Sequence, residues 1–180
     1  MSIVLQSTGG GSVTLQEPST ASNVTVTIPA ATGTVMVSGN MPAFFAYASV
    51  DQSITAATFT KVTLGAEGFD TNNNFASSTF TPTVAGYYQI SGGVSNLGGN
   101  TPTRVIVALF KNGSGWVSLG DYTNSSTYRT YGSALIYCNG TTDYIELYTY
   151  FTGSSLAIQG GSSTGVGYNT YMTGSLVRVA

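Results

Sequence analysis

An all-β chain, folded as a two-sheet antiparallel sandwich, is what three features of this sequence predict. Val, Ile, Thr, Tyr and Phe are abundant while strong helix formers are scarce. Glycine or Asn-Gly interrupts the apolar–polar runs about every ten residues, the spacing of short strands joined by turns. No stretch carries apolar residues at helical spacing. The nearest, Ser53-Ile54-Thr55-Ala56-Ala57, has Ser53 as an N-cap, but it is short and β-branched residues follow it.

Length and composition narrow the function. The 180 residues suit one domain, or one domain with an arm. Charged residues make up 7 % of the chain, against about 25 % in an ordinary globular protein. Ser, Thr and Gly supply 72 of the 180 residues. Histidine is absent, which excludes a Ser-His-Asp triad, a Cys-His pair, a His-ligated zinc and an imidazole pH switch. The single cysteine, Cys138, cannot form an intrachain disulfide, and its apolar neighbours predict a buried, inert thiol. A net charge of −2 with scattered bases gives no footprint for nucleic acid. The mean hydropathy of +0.16 is too apolar for a disordered chain. No apolar run is long enough for membrane insertion. The start, Met1-Ser2-Ile3-Val4, lacks the basic and apolar regions of a signal peptide. A chain this poor in charge fits an assembly in which neighbours cover much of the surface.

Taken in order, the elements begin with an arm, residues 1–40, which contains no aromatic residue. Val13-Thr14-Leu15 and Val24-Thr25-Val26-Thr27-Ile28 alternate apolar and polar, and Gly9-Gly10-Gly11 and Ala30-Ala31-Thr32-Gly33 punctuate them. So few strands are marginal alone. The arm is therefore expected to pair with copies of itself or to dock on another protein; the alternative, a floppy tail, leaves the alternation unexplained. Residues 41–180 hold every aromatic side chain and form the globular domain. Its expected strands are Ala43–Tyr47, Lys61–Ala66, Gly86–Gly92, Val105–Lys111, Trp116–Thr123, Ser133–Tyr137, Asp143–Phe151 and Thr170–Val179. Asn112-Gly113 and Asn139-Gly140 tolerate positive φ and mark turns. In Asp143–Phe151, residues Tyr144, Glu146, Tyr148 and Tyr150 share one side and Ile145, Leu147, Thr149 and Phe151 the other.

Phe75-Ala-Ser-Ser-Thr-Phe80-Thr-Pro-Thr-Val-Ala-Gly86-Tyr-Tyr88-Gln-Ile90 resembles the signature of the C1q-like domain of the C1q/TNF superfamily. Phe80, Gly86 and Tyr88 fall in place, and Ile90 stands where that family prefers Phe. Ala43–Tyr47 is similar to the family's opening strand, Leu109-Phe110-Lys111-Asn112-Gly113 to its central hairpin, and Met172-Thr173-Gly174 to its closing Phe-x-Gly strand. The resemblance covers about residues 42–180 and implies a ten-stranded jelly roll assembled as a homotrimer. The sequence holds no Gly-X-Y collagen stalk. The arm, from Val13 to Thr34, is similar to segments that precede fibre knobs or decoration domains in bacteriophage surface proteins. The tyrosine-rich composition suits such an assembly, since Tyr buries a ring while its hydroxyl finds a partner.

Candidate sites are few. Trp116 follows Gly113-Ser114-Gly115 and is read either as a platform for a sugar ring or as a residue packed at an interface. The segment Tyr122–Tyr131, with Tyr122, Asn124, Tyr128 and Arg129, suits recognition of glycan or peptide and equally a contact between subunits. Asp70-Thr71-Asn72-Asn73-Asn74 begins like a calcium loop, but Phe75 and Thr81 stand where an EF-hand needs Gly and Glu. No cofactor is expected. Arg104 and Arg129, or Lys61 and Glu67, are candidates for ion pairs between subunits. Catalysis is not expected: Gly161-Ser162-Ser163-Thr164-Gly165 matches a nucleophile elbow only in form. Nothing in the sequence pairs the acids Asp70, Asp121, Asp143 and Glu146 for glycoside hydrolysis. Sequons at Asn23, Asn112, Asn124 and Asn139 are expected by chance in a chain so rich in Ser and Thr. The expected role is a virion surface protein, either a capsid decoration or cement protein held to other virion proteins by residues 1–40, or a fibre tip that binds a host surface glycan or protein.

Overall fold

The period-2 alternation of apolar residues decides the layers, because each strand must turn one face to a shared interior. The computed structural model describes residues 2–16, 19, 25, 30, 36–37, 39, 41–99, 101–123, 129–161 and 167–180. The expected strand Val24–Ile28 apart from Thr25, the sequon Asn23, the candidate residues Asn124 and Tyr128, and Ser162–Gly165 of the Gly/Ser motif lie outside these. The chain divides into two compact units, Met1–Gly33 and Thr34–Ala180.

Among its described residues the first unit forms a hairpin. Strand β1 (Ser2–Gln6) pairs antiparallel with β2 (Ser12–Gln16), from Ser2↔Gln16 to Gln6↔Ser12. Its loop closes by hydrogen bonds from Ser7 N to Gly11 O (2.7 Å) and from Gly10 N to Ser7 O (3.1 Å), with Gly10 at φ +86°. Ile3, Leu5, Val13 and Leu15 share one face through the pairs Ile3↔Leu15 and Leu5↔Val13, and all four are more than half exposed. β1 was not anticipated, because the run Ile3-Val4-Leu5 does not alternate.

The second unit is a sandwich of two antiparallel sheets. Its strands are β3 (Ala43–Tyr47), β4 (Gln52–Ser53), β5 (Thr60–Lys61), β6 (Ala66–Asp70), β7 (Phe75–Ala76), β8 (Thr79–Phe80), β9 (Gly86–Ser95), β10 (Thr101–Lys111), β11 (Ser114–Thr123), β12 (Arg129–Cys138), β13 (Ile145–Ser154), β14 (Ala157–Ile158) and β15 (Tyr171–Val179). One sheet runs β11-β10-β13-β8-β7 with β5 also on β13; the other runs β12-β9-β15-β3-β6, and β4 pairs β14 separately. The core between the sheets holds Phe44, Phe80, Tyr88, Ile90, Leu109, Ile136, Leu147, Phe151 and Met172, all buried.

Two strand expectations change. Lys61–Ala66 is not one strand: β5 joins one sheet and β6 the other, and the chain crosses between them. Val62 and Leu64 are both buried, so the alternation was a true burial signal. Their hydrogen bonds, however, go to unrelated partners, Val62 N to Leu147 O (2.9 Å) and Leu64 N to the Ser78 hydroxyl (2.8 Å). Strand β13 begins at Ile145 rather than Asp143, because Asp143 is used to close the preceding turn.

Candidate functional site

The two outward faces of the sandwich differ. On the five-stranded sheet the register sets Tyr131, Gly93, Tyr171 and Tyr47 in one row across β12, β9, β15 and β3. The next row is Ser133, Ser91, Thr173, Phe45 and Phe69; the third is Leu135, Gln89, Ser175 and Ala43. These three rows contain no charged residue. Phe45 lies 5.4 Å from Tyr168, 5.9 Å from Tyr171 and 6.4 Å from Phe69, and Tyr47 stacks on Tyr168 at 3.8 Å. Tyr131 is 68 % exposed and Leu135 56 %. Arg129 and Arg178 stand in the rows that flank these three, and an apolar, uncharged centre of this kind is the surface expected of a contact.

The other sheet carries an open groove of about 300 Å³, lined by Phe59, Ile106, Ala108, Phe110, Gly115, Trp116, Val117, Ser118 and Asp121. Strand β11 has register shifts against β10 at two points, which leave Leu119 and Trp116 without a paired residue opposite. A bulge bends its strand and re-aims the side chain it carries. Here Trp116 is 58 % exposed, with Lys111 Nζ 5.3 Å from its ring centroid. Phe59, 41 % exposed, stands 5.4 Å from Phe110 and 5.3 Å from Tyr150, and Phe110 stacks on Tyr148 at 3.9 Å. Asp121 is held by Arg104 through two bonds, Nε to Oδ1 (2.9 Å) and Nη2 to Oδ2 (2.6 Å). That donation from Arg104 holds the Asp121 carboxyl below the usual carboxylate range.

The remaining candidates are scattered. Tyr122 is exposed at the end of β11. Arg129 begins β12 on the other sheet and donates Nη2 to Asn169 Oδ1 (2.7 Å). The carboxylate Asp70 spends Oδ1 on Asn72 N (3.2 Å) and Oδ2 on Phe75 N (2.7 Å), which closes its loop on itself. Lys61 pairs within the chain with Glu146 Oε1 (2.6 Å), not with Glu67. Cys138 is fully buried, and burial pushes its thiol up to about 11. Among the described residues no three His, Cys, Asp or Glu side chains cluster as metal ligands. Nor is any described helix long and apolar enough to cross a membrane.

One polar cluster escaped the sequence reading. Lys111 Nζ meets Asp143 Oδ2 (2.9 Å) and Tyr137 O (2.8 Å), and Asn112 Nδ2 donates to Asp143 Oδ1 (2.7 Å). Asn139 Oδ1 accepts from the backbone N–H groups of Thr141, Thr142 and Asp143 (3.0 Å each). The two Asn-Gly turns are thereby tied together. Donation from Asn112, followed by that from Lys111, keeps the Asp143 carboxyl below its ordinary value.

Neither a family model nor a curated protein matches the sequence. Solved structures do match the fold. The globular domain of zebrafish complement 1qA superposes with a TM-score of 0.52 at 18 % identity, over 77 % of this chain and 98 % of that one. Murine APRIL gives 0.54 at 12 % identity, over 76 % and 99 %. Eiger TNF from S. frugiperda gives 0.53 at 9 % identity, over 78 % and 95 %. The fold is the C1q/TNF jelly roll.

Within this jelly roll the signature residues meet in one layer of the core. Phe44 stacks on Phe80 at 4.3 Å and on Phe75 at 5.0 Å, and Phe80 meets Tyr88 edge-on at 5.4 Å. Tyr88 donates its hydroxyl to Val84 O (2.7 Å). Gly174 sits opposite both Phe44 and Ile90, and a Cβ there would strike both side chains. At Gly86 a Cβ would strike the Arg178 carbonyl and Leu176. Both glycines permit a close approach that no larger residue allows.

Proposed function

We propose that this chain is a non-enzymatic virion structural protein of a bacteriophage. In this reading the jelly roll forms a homotrimeric knob, residues 1–40 fix it to other virion proteins, and the trimer serves as a capsid decoration or cement protein. The observation that carries it is the uncharged middle of the outer face of the five-stranded sheet, flanked by Arg129 and Arg178, where Phe45, Tyr47, Tyr131, Leu135 and Tyr171 stand among Ser, Thr and Gln. A monomer would leave those rings in water, whereas threefold packing covers them and shields the sheet edges. The apolar side of the β1–β2 hairpin supports a second contact, made by the arm. The phage assignment rests on the resemblance of Val13–Thr34 to segments that precede decoration domains and fibre knobs.

Light scattering on the purified protein should give three times 18.6 kDa; a mass of one chain would sink the trimer. Deleting residues 1–33, the first of the two units, should leave a folded trimer that no longer attaches to the particle. On labelled particles, many copies over the head would support decoration. A few copies at the tail would support a fibre tip instead.

A further inference from the structure

We propose that the groove on the β11-β10-β13 sheet binds a neutral saccharide. Three observations meet there. First, a bulge projects Trp116, and Phe59 stands exposed on the same groove. Exposed ring faces offer the axial C–H groups of a pyranose an apolar platform. Second, Ala108, Gly115 and Ser118 line the groove beside Phe110, whose ring packs over Gly115, so the surface between the two exposed rings is apolar and low. Third, the charges here are already paired: Asp121, which lines the groove, with Arg104 through a two-bond fork, and Lys111, 5.3 Å from the Trp116 ring centroid, with Asp143.

The third point selects the ligand class. An ionised carboxylate has about four lone-pair sites, and the fork uses two of them. A guanidinium has five N–H donors, of which the fork uses two. The pair therefore offers spare acceptors and spare donors side by side, the arrangement that adjacent sugar hydroxyls require. Its net charge is zero, so it has no surplus attraction for a sialylated or sulfated glycan. A purely apolar partner would leave those spare donors and acceptors unsatisfied when it covered them.

The groove lies on the sheet opposite the aromatic contact face. If the trimeric reading holds, one assembly presents three grooves, and weak single sites gain affinity through multivalency. Only this avidity rests on that reading; the groove itself is complete within one chain.

The protein carries one tryptophan, so its emission reports this groove directly. The full-length chain is titrated with the methyl β-glycosides of glucose, galactose and N-acetylglucosamine, with their β-linked trisaccharides, and with sialyllactose as an acidic control. A saturable emission change is expected with at least one neutral probe, with affinity reduced tenfold or more in Asp121→Asn and in Phe59→Ala. Tyr131→Ala, on the other sheet, should bind as the parent does. Saturation-transfer NMR on the same samples checks binding without the fluorophore, and circular dichroism confirms that each variant is folded. No response to any neutral probe, a response to sialyllactose alone, or binding that persists in both groove variants would overturn the assignment. Light scattering on the same samples separates the two ideas: a trimer that binds no sugar refutes the groove, and a monomer that binds refutes the trimer.

Discussion

Gly174 is the residue on which three strands converge. Its missing side chain leaves room for Ile90 on one neighbour and Phe44 on the other, both fully buried. Gly174→Ala overpacks that point and is expected to cost about 1–3 kcal/mol, measured by denaturant unfolding. An unchanged midpoint would mean that the strands separate more easily than their register implies. Trp116 illustrates the reverse case. Its sequence context suggested a glycine-flanked aromatic, but its exposure follows from a register shift that only the pairing of β10 with β11 reveals.

At the scale of elements, two hairpin ends are joined by one carboxylate. Asp143 accepts from Asn112, from Lys111 and from the Asn139 backbone. Replacing it with Ala strands a mostly buried ammonium beside the Tyr137 carbonyl, and about 3 kcal/mol of stability should be lost. Asp143→Asn should lose less, because its amide still fills the turn. The pH dependence has a definite sign. Asp143 and Asp121 titrate lower in the folded chain than in the unfolded one. Their contribution is thus present above about pH 4 and is lost as pH falls further. Cys138 is raised from 9.0 to about 11, so its contribution is full below pH 9 and disappears as pH climbs towards 11. With no histidine to titrate between, melting temperature should be flat from about pH 5 to 8. A step near pH 6.5 would contradict this account. The Asn-Gly turns and the long strands were legible because their cues are local. The two-residue strands β4, β5, β7, β8 and β14 were not, since two residues carry no period.

For the whole molecule, assembly and stability should separate. Placing like charges in the middle of the uncharged face, with Ser133→Lys and Leu135→Lys together, leaves the core untouched because both side chains point outward. The expected outcome is a folded monomer by light scattering with a native circular dichroism spectrum. A trimer that survives both charges would place the contact elsewhere. Half of this face was visible beforehand as a surplus of tyrosine, but its arrangement was not. Tyr131, Tyr171 and Tyr47 are far apart in the chain and share a row only through the order β12-β9-β15-β3.

By itself the sequence determined the class of fold, the principal long strands, the jelly-roll signature and the absence of histidine chemistry. Those depend on local periodicity, turn propensity and composition, which are written along the chain. Tertiary structure decided which residues share a surface. It gathered an uncharged patch of rings on one sheet, brought Trp116 and Asp121 to one groove on the other, and paired Lys61 with Glu146 across 85 positions. Such neighbours are set by strand order and register, and register is chosen by the packing of a buried layer that no single segment contains.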